Sequence, residues 1–171
     1  MSRIIDGEAD DLESLLAMGR MEGCLKMALN SKRGRADLRR IKAALEKMPR
    51  KELIEGRLCD GRGVCALGAA SYRSMVDRGI APKEAWKTLR RVGATKDFEL
   101  REYEIIDATV RTAVDELKIT DTLARAVMWE NDGWPKESPS DRYASVMRWI
   151  DEYLSKPLLQ KGAKKSKEAQ K

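Results

Sequence analysis

Histidine is absent from all 171 residues. That absence removes the commonest general base and the commonest metal ligand together. Phenylalanine is nearly missing too, with Phe98 the single example, and tryptophan and tyrosine number only four each. The core must therefore be aliphatic, built from Leu, Ile, Val, Ala and Met. No apolar run approaches the roughly 20 residues that a membrane-spanning helix requires. The opening MSRIIDGEADD turns acidic at once, unlike the basic start of a secretory signal. Three cysteines, an odd number, do not make a disulfide framework. These absences lead us to expect a reduced, soluble, intracellular protein with no membrane partner, no cofactor and no metal.

What the chain has in quantity is charge, and the charge is segregated. The net value is +6, yet Lys26 to Lys51 alone holds ten basic residues against Asp37 and Glu46. The end, KGAKKSKEAQK, adds five lysines against one glutamate, so the remainder of the chain is acidic on balance. Such a distribution attracts phosphate or an acidic protein face. The expected binding residues are Lys32, Arg33, Arg35, Arg39, Arg40, Lys42, Lys47, Arg50 and Lys51. The bland alternative is a solvated helix followed by a solubilising tail.

Strand patterns are almost absent, whereas the 3.6-residue period recurs throughout. The expected fold is all-α, a compact bundle of six or seven short helices. Residues 1–33 form an acidic N-terminal helix and a polar connector, NSKRGR. Residues 34–156 make the helical domain, and 157–171 a disordered basic tail. In the helix expected at 35–48, Leu38, Ile41, Leu45 and Met48 share one arc, with Arg35, Arg39 and Lys42 on the far side. Further helices are expected over about 65–78, 82–91, around 106–117, and from Thr120 or Asp121. The last begins with Ser138 as N-cap, Pro139 at the first position and Asp141 as an acidic capping-box partner.

Two stretches stand apart. RLCDGRGVCALGAASYRSMV brings Cys59 and Cys65 to either side of a glycine-rich loop, then a run of very small residues. It lacks the G-x-x-x-x-G-K-[S/T] order and the preceding strand of a phosphate cradle. Zinc would need two more ligands than its C-x5-C spacing supplies, and Cys24 is the only other thiol. A redox or nucleophilic Cys65 at a helix N-terminus is conceivable, but no histidine stands by to activate it. The reading adopted is structural: Gly68 and Ala69 let a neighbouring helix come close. In the second stretch, WENDGWPKESPSDRY, Asn131-Asp132-Gly133 ends one helix. Trp129, Asn131, Asp132 and Trp134 form either a partner-binding corner or a turn held by stacked indoles.

At these two stretches the chain resembles small uncharacterised helical proteins of bacteria and their phages. Those proteins pair a CALGA-type motif with a downstream ND turn. The matching residues are Cys65-Ala66-Leu67-Gly68-Ala69 and Asn131-Asp132, within residues 38 to 154. The resemblance implies a phage-related helical domain of unknown function in a bacterial cytoplasm, and supplies no catalytic residue. With no convincing catalytic constellation either, the expectation is a non-catalytic protein contacting an acidic partner, foremost the nucleic-acid phosphate backbone. No helix carries base-reading side chains, so sequence-specific DNA reading is not expected. The alternative is a phage-encoded modulator or inhibitor of a host enzyme or defence complex. Oligomeric state is not legible in the sequence.

Overall fold

The computed structural model describes residues 23–60, 62–93, 102–133 and 138–158. The acidic N-terminal segment before residue 23 and the lysine-rich tail lie outside them. Seven helical segments are described: α1 (helical over 23–30), α2 (Lys32–Glu46), α3 (Ala66–Asp77), α4 (Pro82–Gly93), α5 (Glu102–Leu117), α6 (Asp121–Asp132) and α7 (Pro139–Ser155). Among the described residues there is no strand, only an isolated antiparallel bridge between Cys59 and Val64. The fold is all-α, and no described helix is long and apolar enough to cross a membrane.

Capping chemistry accounts for most of the helix starts. Ser138 Oγ accepts from the Asp141 N–H at 3.2 Å and donates to its carboxylate at 2.7 Å, while Pro139 occupies the first position. Thr120 Oγ1 accepts from the Leu123 N–H at the start of α6. The polar connector expected over 30–35 shrinks to Ser31 alone. Its hydroxyl caps Gly34 N–H at 2.9 Å, so α2 begins three residues before the expected position. Gly34 makes that abrupt corner possible, because a Cβ there would overlap the Ala28 carbonyl of α1.

The bundle is organised around α3, which packs against α2, α4, α5 and α6. A helix with so many neighbours is buried on nearly all sides, and its residues Ala66, Leu67, Gly68, Ala69, Ala70 and Ser71 are all buried. The small residues after Cys65 are therefore the central helix, as their size suggests. The reason for Gly68 differs from the expected one. A Cβ at Gly68 would overlap the carbonyl of Leu58, so the close approach is to loop backbone and not to another helix. Leu58 itself is fully buried, and its carbonyl accepts from Cys65 N–H at 3.2 Å.

Alanine in place of glycine inside a helix ordinarily stabilises by about 0.5–1 kcal/mol. Here the sign reverses. Gly68→Ala is expected to lower the unfolding free energy by roughly 2–3 kcal/mol through overpacking against Leu58. Urea denaturation followed by circular dichroism measures it, and an unchanged or raised midpoint would show that the contact relaxes freely.

Candidate nucleic-acid interface

The helix α2 presents fewer free cations than its sequence promises. Arg35, expected on the outer face, is only 5% exposed. Its guanidinium donates to Asn30 Oδ1 and to the Pro157 carbonyl, both at 3.2 Å, joining α1 to the segment after α7. Lys42 is half-buried and pairs with Asp151 of α7 at 2.5 Å. The hydrogen bond to Asp151 holds its ammonium above the ordinary lysine pKa. Because α7 packs on this flank of α2, both residues are withdrawn from the proposed interface.

The opposite flank is also occupied. Arg33 donates to the Lys118 carbonyl at 2.7 Å and Arg40 to that of Leu117 at 3.1 Å. These carbonyls end α5, where the helix dipole is negative and cations are favoured. Arg40 also pairs with the buried Asp37. Lys51 donates to the Glu46 carbonyl at 2.5 Å, closing the end of α2, and lies 5.4 Å from the centre of the Tyr143 ring. Of the nine expected residues, Lys32, Arg39, Lys47 and Arg50 remain exposed with neither an acidic nor a carbonyl partner among the described residues. Lys32, Arg39 and Lys47 form one outward strip with Ala36 and Ala43 between them.

A second cationic surface was missed in the sequence. Arg62, Gly63, Lys83, Trp86, Lys87, Arg90 and Arg91 line an open groove of about 670 Å³. On α4, Lys83, Lys87 and Arg90 follow i, i+4, i+7 and share one face. Ala85 and Leu89 are buried beneath it, and Trp86 lies at the boundary, half-buried against Tyr72 with ring centres 5.1 Å apart. Lys87 has Glu84 at 3.6 Å; the other four cations have no acidic partner among the described residues. The signal in the sequence was the basic spacing around Trp86, masked by Glu84 and by the lower charge density. Arg62 lies in a different segment, and only the fold brings it to the groove.

The 129–132 corner divides. Trp129 is 76% exposed on α6, whereas Asn131 is fully buried, so Asn131 is not a contact residue. Trp134 lies outside the described residues. Asn131 Oδ1 accepts from the Ala66 N–H at 3.1 Å, and its amide donates to the Ile54 carbonyl at 2.8 Å. The same amide donates to Asp132 Oδ1 at 2.5 Å, and the other Asp132 oxygen accepts from Gly56 N–H at 3.2 Å. The ND and CALGA stretches thus meet in space, with Asn131 tying the loop and the start of α3 to the end of α6. Burial raises the Asp132 carboxyl above its ordinary pKa, against the lowering effect of its two hydrogen bonds.

Backbone donors of the glycine loop at Arg62 and Gly63 are met by the protein's own groups. Arg62 and Gly63 N–H both donate to Asp60 Oδ1, at 2.8 and 3.1 Å. At the start of α3, Gly68 N–H donates to Cys65 Sγ at 3.4 Å, and Ala66 N–H is held by Asn131. A bound phosphate would have to displace these acceptors. Cys65 is wholly buried, and desolvation pushes its thiol up to about 12, so it stays protonated at neutral pH. No group of three or more Cys, Asp or Glu suited to a metal ion occurs among the described residues.

Compared with known proteins, the chain matches no family model, no curated protein and no solved structure.

Asn131→Asp keeps an acceptor for Ala66 N–H but removes the donor to Ile54 and sets a second carboxylate beside Asp132. The expected loss is roughly 2–4 kcal/mol. Burial and like charge raise the new carboxyl's pKa in the folded state, so the folded protein binds its proton more tightly than the unfolded chain. Stability then falls as pH rises from the ordinary carboxylate range towards that raised value. Denaturant midpoints of variant and wild type at about pH 5 and pH 8 check this; a gap that does not widen at the higher pH refutes the assignment.

Proposed function

We propose that the protein is a non-catalytic nucleic-acid-binding protein that contacts the phosphate backbone. The observation that carries this reading is the groove between the glycine loop and α4. Arg62, Lys83, Arg90 and Arg91 collect there without acidic partners among the described residues, beside a tryptophan. Cations held near one another and unpaired raise the local positive potential and favour a polyanion. Lys32, Arg39, Lys47 and Arg50 supply a second, flatter contact. Backbone contacts of this kind position the protein without specifying a sequence.

Each phosphate contact steepens the fall of log affinity with log salt by about 0.9 on duplex and about 0.7 on single strands. Lys87→Glu/Arg90→Glu should therefore flatten that slope by about 2 and weaken binding at least about tenfold at low salt. Lys32→Glu/Arg39→Glu should do the same less strongly. Fluorescence anisotropy with labelled oligonucleotides, beside circular dichroism as a folding control, gives the measurement. Wild-type affinity and slope in the groove variant refute the proposal.

A second reading, a modulator of another protein, is favoured by Trp129. A largely exposed indole on a helix is the residue type enriched at the centres of protein interfaces. Under this reading, a protein retained from nuclease-treated bacterial lysate by wild type should be lost by Trp129→Ala. Equal retention by both baits, or none by either, tells against it.

A further inference from the structure

The nucleic-acid reading leaves open which form of nucleic acid the groove takes. Three features bear on the choice. One side of Trp86 is braced by Tyr72, at 5.1 Å and 42° between planes, while Trp86 also lines the groove. Neighbouring Lys83, Lys87, Arg90 and Arg91 extend along α4 for about 12 Å at 1.5 Å per residue, the span of three to four phosphates of one stacked strand. The groove's own volume of about 670 Å³ lies within the roughly 300–1,000 Å³ of sites that enclose small organic groups. A duplex keeps its bases stacked inside and offers a convex phosphate surface, which has no use for an indole lining a groove. A single strand presents bases that can leave the stack and lie on an aromatic ring while its phosphates follow the cations.

We propose that this groove is a site for single-stranded nucleic acid, in which a base packs on Trp86 while Lys83, Lys87 and Arg90 contact the phosphates. The inference rests on the nucleic-acid reading above and adds strand selectivity and a stacking residue. Stacking on an indole accepts any base, so the preference is for strandedness and not for sequence. Lysine and arginine carry long apolar stems below their charged ends, so with Trp86 they can supply both the apolar and the cationic parts of the groove.

The test titrates full-length protein with a labelled oligothymidylate of about twelve nucleotides, and with a duplex of equal length, at about 50 mM salt. Inorganic polyphosphate serves as the baseless control. The single strand is expected to bind at least about tenfold tighter than the duplex. It should quench tryptophan emission, which polyphosphate should not. Trp86→Leu should weaken single-strand binding roughly 5- to 100-fold, leave duplex binding unchanged and abolish the quench. If Trp86→Leu does not fold, the exposed pair Lys87→Glu/Arg90→Glu decides, since it must remove both the strand preference and the quench. Equal affinity for the two forms, full single-strand affinity in a folded Trp86→Leu, or quenching by polyphosphate overturns the proposal. Loss of binding in the groove pair with no effect of Trp86→Leu overturns strand selectivity and leaves the nucleic-acid reading standing. No binding of either form removes both.

Discussion

The rest of the structure depends on the contact between the Leu58 carbonyl and the face of α3 at Gly68. A loop carbonyl can be buried only if its hydrogen-bonding capacity is met and nothing stands in its way. Cys65 N–H meets the first condition, and the missing side chain at Gly68 meets the second. Asn131 completes the arrangement from the other side, holding Ile54 and Ala66 with one amide. With the loop fixed against the central helix, α2, α4, α5 and α6 can pack around α3, whose small residues leave room for them.

The same geometry determines what the cations do. A helix end exposes carbonyls without partners, and the most economical solution in a lysine- and arginine-rich chain is a side chain from a neighbouring helix. Arg33 and Arg40 serve α5 in this way, Lys51 serves α2, and Arg35 fastens α1 to the segment after α7. Positive charge that looked like an interface is partly internal wiring. The groove at α4 has the opposite character. Its cations meet few acids, and the loop that Gly68 holds in place is what carries Arg62 to it.

Fixing the loop also accounts for the chemistry of Cys65. At a helix N-terminus a thiol ordinarily gains acidity from the dipole. Here complete burial outweighs that gain and leaves Cys65 as an N-cap, its sulfur accepting from Gly68 N–H. Asp60 similarly consumes the backbone donors that a phosphate-binding loop would keep free.

Local chemistry made the helices legible in advance. Ser138-Pro139 with Asp141, Thr120 before α6, and the apolar period of α2 state their own conformations, because caps and periodicity act over a few residues. By itself the sequence determined an all-α fold, a closely packed helix of small residues after Cys65 and a surplus of positive charge. Only the tertiary structure decided which cations stay free, for that depends on which neighbour covers each helix face. It buried Arg35 and Asn131, paired Lys42 with a carboxylate 109 positions away, and assembled Arg62 with Trp86 and Lys83. Such pairings are long-range, and no local pattern records them.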